Sequence, residues 1–455
     1  MNSNSPDHYL TTAATIKEPP RSLWSSFKFL GPGFILSASI VGSGELIATT
    51  TLGARAGFTA FWIIIVSCLV KVAIQVEFGK YAILTGETAM KSFNALPGPR
   101  FKKGGWAVWS VFLLTFMKIV QVGGMLGGAA IVLSMLFPSI GLIIWAVLIA
   151  SVVALLIFSG LYALIEKSSL VMIAFFTLLT FASLFAVSFT PYSITAEEFL
   201  SGLQFRLPSA LVIIAIGAFG ITGVGSDEII AYNYWCLEKG YAAYTGPRNN
   251  DPAWSKRAQG WVKVMYLDAF VAMLIYTLVT AAFYLLGATV LHRRGVVPEG
   301  NEVIETLALI YTQSFGNSIK TAYLLGAFFV LFSSVFATLA AWTRLFSDIF
   351  GQLGWINFFN AAERKKYIAI LSWIFPAIWL LMFIFIKLPV LMILSGGIVG
   401  SVMLLIVVFA AIHFRRRRVL FFKAGMLYEI AFWLSVIAIF LVAVFGMLKL
   451  FYFDE

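Results

Sequence analysis

Charge is what this chain has least of: 12% of its 455 residues are Asp, Glu, Lys or Arg, about half the share of a soluble globular protein. Cysteine and histidine are scarcer still, at two and three residues. The lack of charge, set against 60% apolar residues and a mean hydropathy of +0.93, excludes a soluble enzyme. The two cysteines, Cys68 and Cys236, form no CxxC, so neither a disulfide framework nor a thiolate metal site is expected. The histidines, His8, His292 and His413, fall outside the apolar runs or at their ends, and no HExxH occurs. Residues 1–20 are polar, with Pro19 and Pro20 and no apolar core, which argues against a cleavable signal peptide.

What is present is apolar length, enough for at most about thirteen helical spans of ~20 residues. Runs bounded by charge, Gly or Pro fall at about 31–54, 58–80, 105–136, 139–162, 168–190, 209–235, 261–290, 318–346, 367–387, 389–413 and 426–450. Each is long enough to cross a bilayer, which gives eleven spans in an all-α polytopic membrane protein. Twenty-two Lys and Arg residues lie in segments on the N-terminal side of the membrane and seven on the other. That imbalance places the N-terminus in the cytoplasm and the C-terminus outside, at a plasma (inner) membrane. The net charge of +11 then reads as an orientation signal and an attraction to anionic inner-leaflet lipids, not as a nucleic-acid footprint. The run Arg415–Arg418 is assigned no further function, and the segment from Lys239 to Gly260 reads as a turn-rich inner loop.

A repeat organises the spans. Val41-Gly42-Ser43-Gly44-Glu45-Leu46-Ile47 in the first and Val224-Gly225-Ser226-Asp227-Glu228-Ile229-Ile230 in the sixth agree at five of seven positions, 183 residues apart. Five spans separate the two starts, so the copies enter the membrane from opposite sides. The expected organisation is a tail over 1–30, five-helix repeats over 31–208 and 209–413, and an inner loop with an eleventh helix over 414–455. Inverted repeats with interrupted helices at matching places mark one large class of secondary transporter, whose site lies at the midplane between the breaks. Glycine costs about 1 kcal/mol against Ala inside a helix, and Gly42 with Gly44, and Gly217, Gly220, Gly223 and Gly225, loosen the two stretches. Close helix packing is the competing explanation, and it is the one adopted for Gly123, Gly124, Gly127 and Gly128 in the third span.

The carboxylates Glu45, Asp227 and Glu228 follow these glycines at membrane depth, where an unpaired charge costs several kcal/mol. They are the tentative metal ligands, and with Ser43, Ser226, Gly42, Gly44, Gly223, Val224 and Gly225 they form the expected substrate site. Each also falls in the first turn after a break, so capping of the half-helices is the alternative role. Lys118, Gln121, Ser333, Ser334 and Thr338 form a second tier; Lys118 is a candidate to neutralise one of the acids. Lys71, Glu77, Asp268 and the Arg344/Asp348 pair are expected to snorkel or pair toward the cytoplasmic side, and Glu166 with Lys167 reads as a solvated loop pair.

Gly31-Pro32-Gly33-Phe34 ahead of a glycine-broken first span, a second break in span six, the Gly-Pro-rich inner loop and the eleven spans resemble the Nramp family of divalent metal transporters over nearly the whole chain. The resemblance implies a LeuT-like fold, no cofactor, and proton-linked uptake of manganese or ferrous iron as substrate. The binding motifs depart from it. Gly42-Ser43-Gly44-Glu45 stands for the family's Asp-Pro-Gly-Asn, and Val224-Gly225-Ser226 for its Met-Pro-His. The acids of span three are missing, and the Gln of span ten is replaced near Ser395-Gly396-Gly397. Without the soft thioether, the hard oxygens that remain suit magnesium, manganese or calcium ahead of iron. Two further functions compete with divalent symport. One is proton-coupled transport of a small organic solute or amine, for which Phe219, Tyr232, Tyr234 and Trp235 would supply aromatic walls. The other is an intramembrane hydrolase built on Ser43, which lacks a general base at that depth.

Overall fold

The computed structural model describes residues 7–159, 162–249, 251–417 and 425–452. Asn250, Arg418 and Lys423, and the side chains of Glu166, Lys167 and Arg417, lie outside what is described. The membrane-length helices and half-helices are α1 (Pro32–Ile40), α2 (Thr50–Ala56), α3 (Phe61–Thr85), α4 (Trp106–Met117), α5 (Ile119–Leu136), α6 (Leu142–Ser159), α7 (Tyr162–Val187), α8 (Val212–Ile221), α9 (Ser226–Glu238), α10 (Pro252–Leu286), α11 (Lys320–Gln352), α12 (Ala361–Ile386), α13 (Pro389–Arg417) and α14 (Met426–Tyr452). A single two-stranded hairpin, Arg100–Phe101 with Gly104–Gly105, is the sheet among the described residues.

Among the described residues, nine helices are long and apolar enough to cross a membrane, or ten when the bent pair of span one counts as one. The expected eleventh falls on α7, in which the apolar stretch among described residues runs only over Ala174–Val187. Span three is two helices, α4 and α5, meeting at Lys118, whose N–H donates to both Leu114 and Thr115 carbonyls. The loop expected over 239–260 is shorter than its composition suggested. Asp251 accepts from Ala253 N–H at 2.9 Å and Pro252 is the first helical residue, so Asn-Asp-Pro starts a helix instead of extending a loop.

The core is one large cluster running from Tyr9 to Ile439, with a small second one at Ala231, Trp235 and Ala340. Gly217 and Gly220 of α8 meet Gly397 of α13 backbone to backbone; a Cβ at Gly220 would collide with the Gly397 carbonyl. The third-span glycines lie against Trp379, Phe383, Pro389 and Met392 of α12 and α13, or Leu331 of α11, as close packing requires.

Of the intramembrane charges expected to snorkel or pair, Glu77 pairs with Lys80 and Arg344 with Glu238 in place of Asp348, while Lys71 and the three acids do not snorkel. Lys71 and Glu77 are fully buried, as is Asp348, and Asp268 is 1% exposed. They are held internally because each meets backbone or side-chain partners freed by a helix end or a packed neighbour. Asp268 receives the N–H groups of Gly31 (2.8 Å) and Gly33 (2.5 Å) and the Tyr232 hydroxyl (3.0 Å), which caps α1 and accounts for the Gly-Pro-Gly entry. Asp348 accepts from Tyr234 (2.8 Å) and Gln352 (3.0 Å), and Arg344 reaches Glu238 at 2.6 Å. Glu77 accepts from Lys80 (2.9 Å), Tyr428 (2.6 Å) and Arg415 (3.4 Å).

Candidate functional site

Span six stops and restarts where its glycines permit. After α8, Thr222 is extended and Gly223 takes φ +62°, a left-handed conformation that a side chain disfavours; α9 begins at Ser226 with Gly225 as its cap. The carbonyls orphaned at the end of α8 are not left to water. Lys71 of α3 donates to Thr222 O at 2.7 Å and to Phe219 O, and Ser67 one turn away donates to the same two carbonyls at 3.0 Å each. A buried ammonium thus sits at the negative end of the half-helix dipole.

Span one breaks in the matching place. α1 ends at Ile40, Val41 leaves the helical region with ψ 70°, and the chain resumes as a wide π-type turn over Gly44–Thr49, bent by 41° from α1. Glu45, fully buried, joins the two breaks: its carboxylate accepts from Gly42 N–H (3.4 Å), Gly223 N–H (3.3 Å) and the Thr280 hydroxyl (3.2 Å).

Between the breaks lies a cavity lined by Ser43, Gly44, Lys118, Gln121, Gly225, Asp227, Glu228, Ser334 and Thr338 of the expected residues. The centre of a water-sized sphere has about 30 Å³ of it, room for about two or three waters. Glu45, Gly42, Gly223, Val224, Ser226 and Ser333 are not part of the lining. Ser226 and Val224 are buried, and Ser333 donates back to Val330 O at 2.9 Å. The three carboxylates are therefore not gathered around one point, and among the described residues no group of three or more His, Cys, Asp or Glu is placed to hold a metal. Two carboxylates face the cavity. Asp227 pairs with the Lys118 ammonium through Oδ1 and accepts from Trp342 Nε1 at 2.9 Å through Oδ2. Glu228 accepts from the Ser39 hydroxyl at 2.6 Å and closes the cap of α9 on Gly225 N–H at 2.7 Å.

The remaining lining is Gly220, which the sequence marked only as a loosening glycine, and Ser39, Ile40, Val122, Met125, Ile221 and Trp342, which sequence reasoning did not single out. Ser39 and Ile40 end α1 and Gly220 and Ile221 end α8, so two half-helix C-termini turn their carbonyl-rich ends to the cavity. Met125 of span three also lines the cavity, so its wall is not built from oxygen-bearing side chains alone. Gln121 likewise fills the space that a side chain at Gly396 of α13 would need, and its amide oxygen has no hydrogen-bond partner. Of the aromatic residues expected to wall an organic cargo, Phe219 lies under the Lys71 ammonium at 4.8 Å, Tyr232 and Tyr234 serve Asp268 and Asp348, and Trp235 lies under Arg344 at 5.0 Å. None of the four lines the cavity.

Residues 33–449 match the model of the family described as natural resistance-associated macrophage protein-like. Among curated relatives, an uncharacterized protein of Pasteurella multocida is 26% identical over 242 residues, 49% of this chain and 54% of its own length. A Mycobacterium leprae protein named divalent metal cation transporter MntH is 24% identical over 58% of each chain. Its namesake in Mesorhizobium japonicum is 25% identical over 72% of this chain and 69% of its own. The chain thus spans little more than half the length of the first two of these relatives. Crystal structures of mutant forms of the Eremococcus coleocola manganese transporter superpose with a TM-score of 0.66 at 14% identity, over 98% of this chain and 93% of theirs. That of Mhp1, a nucleobase-cation-symport-1 family transporter, superposes with 0.58 at 12% identity over 99% and 97%. At these identities the likeness speaks for the fold, an all-helical LeuT-like transporter fold.

Proposed function

The chain belongs to the natural resistance-associated macrophage protein-like (Nramp) family, and from that premise we propose that it carries a divalent metal cation across the membrane by alternating access about the two breaks. The observation that carries this reading is the chemistry of the cavity wall. Two carboxylates, the carbonyl ends of two half-helices, four hydroxyl side chains and an unpartnered amide oxygen converge there, an acceptor-rich surface suited to a hard cation. A volume of two or three waters favours an ion with part of its hydration shell over an organic molecule. Asp227 and Glu228 are the proposed ligands, with Ser43, Thr338, Gln121 and the freed carbonyls completing the shell. Glu45 shapes the breaks from behind. Magnesium, which retains waters and takes one or two carboxylates, and manganese or calcium fit this set better than ferrous iron. Proton coupling, an inner-membrane location with a cytoplasmic N-terminus, and attraction of its basic segments to anionic lipid belong to the same proposal.

Uptake into proteoliposomes tests it, with Mn²⁺, Mg²⁺, Ca²⁺ and small organic solutes offered with and without a pH gradient. At least one divalent ion enters faster than into empty vesicles, and Asp227→Asn and Glu228→Gln each reduce that entry tenfold or more. The reading is overturned when no divalent ion enters across the panel, or when both variants transport like the wild type.

A further inference from the structure

The cavity already contains a cation of the protein's own. Lys118 stands at the hitch between α4 and α5, 3% exposed, and its ammonium is paired with the cavity face of Asp227. Gly400 of α13 lies beside it: a Cβ there would meet the Gly220 carbonyl at 3.2 Å, Ser226 Oγ at 3.6 Å and the ammonium Nζ at 3.7 Å.

Asp227 does not need this partner to be satisfied. It lies in the first turn of α9, where backbone N–H groups and the helix dipole favour a negative charge, and Trp342 donates to its second oxygen. A buried ion pair is moreover no better for stability than apolar side chains of similar volume. The ammonium is a compact point charge on a flexible four-carbon stem, which can change position without a change of backbone. It lines the same cavity as Asp227 and holds Oδ1, so a divalent ion taking that oxygen competes with it. With room for two or three waters, the cavity cannot hold a second cation on that carboxylate beside the first without direct repulsion.

We propose that Lys118 is the resident occupant of the cation position, a tethered counter-ion that a divalent cargo displaces from Asp227 on binding and that expels the cargo by returning. This rests on the divalent-cation reading above and adds the residue that sets its affinity. Lys118 touches no cargo in the loaded state; it acts by competition.

The test is Mn²⁺ binding to the purified full chain in detergent, followed by the electron paramagnetic resonance of the free ion, with Mg²⁺ and Ca²⁺ as competitors. Lys118→Met and Lys118→Gln remove the charge and keep the stem. Both are expected to bind Mn²⁺ at least tenfold more tightly than the wild type, and the gain is expected to vanish in an Asp227→Asn background. Variants that bind Mn²⁺ as weakly as the wild type or more weakly, while the wild type binds it, overturn the tethered counter-ion and leave metal transport standing. Tight binding by the variants alone overturns both, because the wild-type ammonium then excludes the ion instead of yielding to it. Binding by none of the chains to any of the three ions overturns both. Loss of the folded, monodisperse protein in both Lys118 variants also overturns the proposal, because a displaceable counter-ion is not a structural requirement.

Discussion

Lys71 and Met125 carry the residue-scale consequences, because each does something its residue type did not announce. Lys71 replaces solvent at the end of α8, adding a charged donor to the two carbonyls that Ser67 also meets. Lys71→Met leaves them to Ser67 alone and removes hydrogen bonds from a charged group, worth about 1.5–3 kcal/mol, so the purified protein should melt several degrees lower, as read by intrinsic fluorescence. A melting point equal to that of the wild type means that Ser67 suffices for those carbonyls. Met125 is a test of ion preference. If its thioether faces the ion, Met125→Leu leaves Mg²⁺ and Ca²⁺ binding unchanged and weakens Mn²⁺ and Cd²⁺ several-fold, since only the softer ions gain from sulfur; equal weakening of all four assigns it to packing. Asp227, Glu228 and Lys118 were legible in the sequence because a charge at membrane depth stands out. Met125, Trp342 and Ile40 were not, since among so many apolar residues nothing marks the few whose helical phase points inward.

At the scale of the element, the paired breaks were legible as a repeated glycine-acid motif, but not which glycine makes the break. Gly217 and Gly220 only let α8 approach α13, whereas Gly223 takes the backbone conformation a side chain resists. Gly223→Ala should cost about 1 kcal/mol in stability and reduce transport more than it reduces folded yield. Gly220→Ala forces backbone apart and should lower the yield itself. Equal effects on yield and transport would merge the two roles. Outside the membrane, the short helix Ala196–Ser201 shows the same capping logic. Glu198 bonds the Thr195 N–H at 2.9 Å and pairs with Arg293 at 2.5 Å, and its carboxyl is held below the usual range first by that backbone bond and then by the Arg293 pairing. A depressed carboxyl stabilises the folded form above its unfolded pKa. Its contribution is therefore present at neutral pH and lost as pH falls through the folded value, below the ordinary carboxylate range. Amide exchange over 193–202 should accelerate only in that acid window, and Glu198→Gln should abolish the acceleration.

For the whole molecule, the inverted repeat could be read from two heptapeptides, while the binding of residues 7–30 could not. A polar, proline-bearing segment reads as a tail, and the partners that order it lie more than two hundred residues away. Asp7 takes two hydrogen bonds of 2.9 Å from Arg364, whose guanidinium stacks over Tyr9 at 4.6 Å. Tyr9 donates to Glu238 at 2.7 Å, the carboxylate that Arg344 also holds. Further along, the Lys17 N–H reaches Tyr244 O (3.0 Å), Trp261 donates to Lys17 O (3.0 Å), and Lys239 and Tyr241 bind the carbonyls of Leu30 (2.9 Å) and Phe29 (2.7 Å). The segment therefore straps together the ends of α9, α10, α11 and α12 on the side where α1 enters. If the two ends of the bundle open in turn, opening this one must first break the strap, which stabilises the state closed on this side. Asp7→Asn with Tyr9→Phe removes the charged partner and the hydroxyl link without touching the cavity. Amides over 234–246 and 358–366 should then exchange at least tenfold faster, equivalent to about 1.4 kcal/mol, while amides at the breaks, 41–45 and 222–228, change only as far as the population shifts. Unchanged exchange at both places would make the strap an ornament of the closed state, and faster exchange throughout would make it part of the fold's global stability rather than of one end's opening.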